Sequence, residues 1–248
     1  MRVVSLCPSI TESLVALGAA DTLVGVTRYC THPREALAGI PRMGGTKNPD
    51  LAAIRAAGPD VVFCNSEENR AADIEAIAAD FRVDVSHPRT VAEIPGLLRH
   101  FGELIDRGQA AEEFSSKVEK AMERVEEEAR QQFRFVYLIW RDPWMTVGPR
   151  TYIADLLLRV GGSLSLEEKH GEGNDYPATD ESAIVAARPD VLILPDEPYR
   201  FRERDAGFWR ERLPSSSRVV LVPGDDFCWH GVRTLRGLEA AGQLAGIL

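Results

Sequence analysis

Residues 50–67, DLAAIRAAGPDVVFCNSE, and residues 180–197, DESAIVAARPDVLILPDE, are two versions of one unit. At a constant offset of 130 positions, nine of the eighteen residues are identical: Asp50/Asp180, Ala53/Ala183, Ile54/Ile184, Ala56/Ala186, Ala57/Ala187, Pro59/Pro189, Asp60/Asp190, Val61/Val191 and Glu67/Glu197. Each version reads as a short helix, a Pro-Asp turn, and a run of consecutive apolar residues. Such a run suits a strand buried on both faces of a parallel sheet. One helix–turn–strand unit is commonplace in α/β folds; an ungapped second copy points to two lobes of similar topology.

The flanking sequence extends the pattern. Residues 2–6 read as a strand, followed by a helix over 9–17 with Ser9 and Glu12 spaced as a capping box and Gly18 as its C-terminal stop. Leu23 to Thr27 reads as the next strand. Asn48-Pro49 reads as a helix start with proline at the first turn. A helix over 68–80 and a strand over 82–86 follow. From Val91 to Gln132 there is no strand signal. There Phe114, Val118, Met122, Val125 and Ala129 form one apolar helical stripe, opposite Glu112, Glu113, Lys117, Glu119, Glu123, Glu126, Glu127 and Arg130. Strands resume at 135–140, 191–194 and 219–222, with helices near 151–160, 180–187 and 232–245. Strands alternating with helices predict an α/β protein with doubly wound parallel sheets. The expected division is 1–107, a connecting helix over 108–132, and 133–248.

Composition limits the function. The net charge is −9, with Asp+Glu 38 against Lys+Arg 29, which argues against wrapping nucleic acid or an anionic membrane. No apolar run approaches the roughly 18 residues that span a bilayer. Met1-Arg2 lead straight into a strand, so the sequence as given shows no export signal. It suits the cytoplasm, or the periplasm or cell surface if a leader has been removed. Cys7, Cys30, Cys64 and Cys228 are widely spaced without a CxxC pair, which suits free thiols rather than a disulfide framework or structural zinc.

Ligands of open parallel sheets sit beyond the C-terminal strand ends. The residues that follow the expected strands are rich in aromatic, histidine and arginine side chains, as a large, flat, partly apolar ligand would need. Candidate ligand contacts are Ser9, Arg28, Tyr29, His32, Lys47, Asn65, Trp140, Trp144, Tyr199, Trp229, His230 and Arg233. His32, His87 and His230 are also possible metal ligands in chemical type, and the metal question stays open at this point. Arg141 suits a carboxylate or amide oxygen of a ligand.

The stretches RVVSLCPSITESLVALGAADTLVGVTRYC, NPDLAAIRAAGPDVV, TYIADLLLRVGG and VVLVPGDDFCWHGVRTLRGLEA occur in an order that resembles the class III substrate-binding proteins of ABC importers. These are the cobalamin, haem and ferric-siderophore receptors, and the corrinoid branch is the most similar. The resemblance implies two Rossmann-like lobes joined by one long backbone helix, a ligand cleft between the lobes and little hinge closure. It also implies a non-enzymatic, monomeric protein with no intrinsic cofactor, whose ligand is a corrinoid, haem or iron chelate. Glu67, Glu68 and Glu197 lie where the family docks its permease. A cytoplasmic α/β enzyme or a Cys/His metal-handling protein is the competing class. Against the enzyme, the chain has no GxGxxG after its first strand, no Walker A sequence, no GxSxG and no HExxH.

Overall fold

The repeat has the same local structure in both copies. Helix α2 (Leu51–Ala57) is capped by the Asp50 carboxylate, which accepts from the Ala53 amide at 2.9 Å, and ends at Gly58 with φ 55°. Its counterpart, numbered α7 below, spans Glu181–Ala187. It is capped by Asp180, accepting from the Ala183 amide at 2.8 Å, and ends at Arg188 with φ 46°. Strands β3 (Val61–Asn65) and β9 (Val191–Pro195) follow, and every residue of each is buried. The turn aspartates also match. Asp60 accepts the Arg2 amide at 2.6 Å, and Asp190 accepts the Arg134 amide at 2.7 Å. Each carboxylate thus satisfies a backbone donor where the neighbouring strand begins.

The computed structural model describes residues 1–129, 131–166 and 174–246, and the chain divides into two units. The first holds Met1–Pro88, Ala92–Glu119 and Trp229–Arg233. Its elements are β1 (Val3–Ser5), α1 (Pro8–Ala16), β2 (Leu23–Val26), α2, β3, α3 (Ala71–Ala78), β4 (Arg82–Ser86) and α4 (Ile94–Leu104), with the start of α5 (Gly108–Glu128). The strands are all parallel, in the order β2-β1-β3-β4. Alternate residues of β1 and β3 fill two cores. Val3, Val61 and Phe63 pack with Ile10, Leu14 and Phe101, while Val4, Val62 and Cys64 pack with Ile54 and Ile77. This is why β1 and β3 read as continuous apolar runs.

The second unit holds Arg89–Val91, Lys120–Cys228 and the chain from Thr234 on. After the end of α5 come β5 (Phe133–Trp140), β6 (Trp144–Thr146), α6 (Tyr152–Arg159), β7 (Gly162–Leu164) and β8 (Ala178–Thr179). Then follow α7, β9, α8 (Glu203–Arg210), β10 (Arg218–Val222), α9 (Gly224–Cys228) and α10 (Thr234–Gly246). The sheet order is β10-β9-β5-β6-β8, with β7 also on β5.

Four expectations are corrected. The second sheet is mixed, not parallel, because β6 turns back antiparallel on β5 after Asp142-Pro143 and pairs antiparallel with β8. The first helix is capped at Cys7 with no side-chain cap, so Ser9 and Glu12 form no capping box. The α2 helix starts after Asp50, two residues later than Asn48-Pro49 suggests. Trp229–Arg233, expected with the C-terminal lobe, pack in the first unit. The long helix ends at Glu128; of the expected 108–132 span, Arg130 lies outside the described residues.

Candidate functional site

In the first unit the C-terminal ends of β1 and β3 meet Trp229–Arg233. Asn65, the last residue of β3, turns its Oδ1 onto the amides of Glu67 and Glu68 at 2.9 and 3.0 Å. Its amide nitrogen is thereby aimed at His230 Nε2, 3.3 Å away. Ser9 Oγ lies 3.2 Å from the same nitrogen. Because Asn65 can only donate here, Nε2 is an acceptor and the proton sits on Nδ1. His230 is buried, and its Nδ1 has no hydrogen-bond partner among the described residues. Burial, with the nearby His87 as a second cause, pushes the imidazole down to about 4.

The rest of the segment is held by one face of α1. The Val232 amide donates to Ser13 Oγ at 3.2 Å, and Ser13 Oγ donates to the Ser9 carbonyl at 2.8 Å. Arg233 is 3% exposed and grips Glu12 through both oxygens, at 2.9 and 2.8 Å. Gly231 has φ 81°, and a Cβ there would fall 2.1 Å from Ser13 Oγ. Trp229 is only half-buried. The Arg233 guanidinium stands 5.2 Å from its ring centroid, and the His32 ring meets it edge-on at 5.8 Å.

Other expected residues line the same unit. Tyr29 is 50% exposed, with the Arg28 guanidinium over its ring at 5.0 Å and donating to its hydroxyl at 3.2 Å. Gly45 lies beneath this pair, where a Cβ would fall 3.1 Å from Arg28 Nη2 and 3.3 Å from the Tyr29 ring. Lys47 Nζ donates to the Glu67 carbonyl. His87 Nε2 is 3.7 Å from the Glu67 carboxylate. Glu67 and Glu68 are exposed.

The second unit has its own aromatic group. Trp140, 41% exposed at the end of β5, meets Tyr199 edge-on at 5.6 Å. Trp144 instead packs inward on Phe201, Phe208 and Trp209, at 6.3, 5.9 and 5.0 Å. Arg141 is committed to the buried Asp205 at 2.6 Å. Glu197 accepts from the Cys228 thiol at 3.4 Å.

Sequence reading missed Glu12, Ser13, Gly231 and Asp205. Ser9, Glu12 and Ser13 fall at i, i+3 and i+4, on one helical face. Polar residues gathered on one face of an otherwise apolar helix were the available signal. Among the described residues no three His, Cys, Asp or Glu side chains gather into a metal-ligand group.

All four cysteines are free thiols. Burial pushes Cys7 and Cys64 up to about 12 and raises Cys30 as well. Cys228 is only half-buried. The thiolate is the reactive form, so a thiol reagent at pH 8 is expected to label Cys228 first and the other three only in denaturant. Labelling of Cys7 or Cys64 at the same rate in the native protein would contradict that burial.

Each unit is an α/β lobe built on its own sheet. A profile of the periplasmic binding protein family matches residues 3–207, and the chain belongs to that family. It is 25% identical over 252 residues to an uncharacterised ABC transporter substrate-binding lipoprotein of Bacillus subtilis (strain 168), covering 96% of this chain and 77% of the relative. It is 24% identical over 249 residues to the vitamin B12-binding protein of Yersinia pestis (strain Pestoides F), covering 98% and 84%. In three dimensions it resembles the apo form of a periplasmic heme-binding protein from Roseiflexus sp. RS-1. The TM-score is 0.82 at 20% identity, covering 98% of this chain and 96% of the other. No described helix is long and apolar enough to cross a membrane.

Proposed function

We propose that this protein is the non-enzymatic substrate-binding component of an ABC importer and that its ligand is a corrinoid. The observation that carries the reading is the pair of aromatic rings on the first unit, Tyr29 and Trp229. Both stand part-exposed with a cation against them, instead of being buried with the core. Such rings gain about 0.5–1.5 kcal/mol each against a ligand face, beyond the area covered. Trp140 and Tyr199 are the corresponding aromatic candidates of the second unit. The vitamin B12-binding relative supports the same ligand class. Haem is the second reading, favoured by Arg28, whose guanidinium at the Tyr29 hydroxyl suits a carboxylate substituent. Exposed Glu67 and Glu68 are the proposed permease contacts of the first unit, and Glu197 that of the second.

The Ser9–His230 pair has the outline of a nucleophile and base but not the chemistry. An imidazole at about 4 is a weak base at neutral pH, its Nδ1 has no orienting carboxylate, and Asn65 shares its Nε2. The reading therefore assigns no catalytic residue.

The test is retention of visible absorbance on ultrafiltration with cyanocobalamin, cobinamide, haemin and a ferric siderophore. Cyanocobalamin is expected to be retained stoichiometrically. Joint removal of the Tyr29 and Trp229 rings is expected to weaken it about tenfold or more, since 1.4 kcal/mol is one decade. Retention of none of the four would sink the proposal.

A further inference from the structure

We infer that Trp229–Arg233 is a built mount for the Trp229 ring, in which Glu12, Ser13 and His230 act on ligand binding as positioning residues without touching the ligand. The inference rests on the reading of Trp229 as a ligand contact.

A tryptophan placed by the hydrophobic effect is buried, and its neighbours are apolar. Here the order is inverted. Trp229 is half-buried, while the residues that follow it carry the polar pins, and those pins are buried: His230 at 7% exposure and Arg233 at 3%. The surrounding polar groups Ser9, Ser13 and Asn65 are buried too, at 4%, 0% and 3%, while Glu12, the partner of Arg233, is partly exposed. Buried polar groups cost free energy unless they are hydrogen-bonded, so a set this dense specifies geometry more than it adds stability. The set converges on five residues whose sequence neighbours, Cys228 and Thr234, belong to the second unit. Gly231 removes the one side chain that would push the segment off Ser13, and the Arg233–Glu12 pair stands beside the Trp229 ring. The arrangement fixes the indole in direction as well as in place. His230 and Arg233, expected as ligand contacts on sequence grounds, become supports.

The test is a double-mutant cycle in the full chain, using cyanocobalamin and haemin as probes. Glu12→Gln and Ser13→Ala are expected to weaken binding about fivefold each in the parent and to change it little when Trp229 is already alanine, because groups acting through one side chain are non-additive. Equal effects in both backgrounds overturn the mount and leave the proposed ligand site standing. A Trp229→Ala variant that binds both probes as the parent does overturns the ligand role of Trp229 and the mount with it. A ligand-free readout covers a chain that retains neither probe, or a variant whose binding cannot be measured. With 5-fluorotryptophan incorporated, the Trp229 fluorine resonance, assigned from Trp229→Phe, is expected to shift or broaden in Glu12→Gln and in Ser13→Ala. A resonance unchanged in both folded variants overturns the mount directly.

Discussion

Replacing Arg141 by methionine is expected to lower the unfolding free energy by about 3 kcal/mol, near the low end of the cost of stranding one partner of a buried ion pair. Arg141 Nη1 lies 2.6 Å from Asp205 Oδ1, and Asp205 is 0% exposed. The other carboxylate oxygen already accepts the Arg202 amide at the start of α8, at 2.9 Å. With Arg141 gone, the nearest cation in contact is Arg204, 3.8 Å away on a side chain that is 70% exposed, too long and too wet to replace it. The guanidinium also faces the Trp144 and Phe208 rings at 5.5 and 5.9 Å, and methionine offers those rings an apolar side chain in its place, so the loss reports the charge more than the packing. Urea denaturation measures it. Adding Asp205→Asn is expected to restore more than half, because a neutral amide needs no counterion. Ligand affinity of the folded variant is expected to stay at the parent value, since the guanidinium is already engaged. A loss below about 1 kcal/mol would mean that Asp205 reaches water or another cation, contrary to its burial.

What the sequence made legible was local. In both copies of the repeat the helix, the Pro-Asp turn and the buried strand follow one another as read, and β4 runs over the expected 82–86, because each signal lies within a few residues of its consequence. Elements that depend on tertiary pairing were not legible. Strands β6 and β8 have three and two residues, too short to show a period, and exist because β5 supplies an antiparallel partner to β6. Helix α8 carries Arg204, Asp205 and Gly207 in a charged run, and its amphipathic face is visible only once Ala206 and Trp209 are seen to be buried.

The site divides along the same line. Tyr29, His32, Asn65 and Trp229 were read as candidates because strand ends in open α/β sheets collect binding residues, and all four lie in the first unit. Their supports were not found. Ser9 and Glu12 satisfy a capping-box pattern, and nothing local shows that their partners lie 221 residues away. Trp144 and Arg141 were read toward a ligand by residue type, whereas in the second unit Trp144 packs on an aromatic cluster and Arg141 pairs with Asp205.

The buried histidine gives the second large effect, and its sign follows from where the proton prefers to be. Unfolded, His230 takes a proton near 6.5; folded, it resists until about 4, because burial strips the charged form of water and His87 adds repulsion. Protonation would also set an N–H against Asn65 Nδ2, which can only donate, and turn the Ser9 hydroxyl from donor to acceptor. Between these two values the unfolded chain binds the extra proton, so stability is complete above pH 6.5 and falls as the pH drops toward 4. From pH 7 to pH 4.5 the loss from this one group is roughly 2–3 kcal/mol, one pKa unit being worth about 1.4 kcal/mol. Carboxylates also titrate over that range, so the parent alone does not isolate the effect. His230→Gln does: its amide oxygen can accept from Ser9 and Asn65 without titrating, and the carboxylate contributions are common to both proteins. Denaturant unfolding at the two pH values is expected to show the variant losing about 2–3 kcal/mol less than the parent. Equal losses would mean that His230 is hydrated in the folded chain, and that the network of Ser9, Asn65 and His230 is open to solvent.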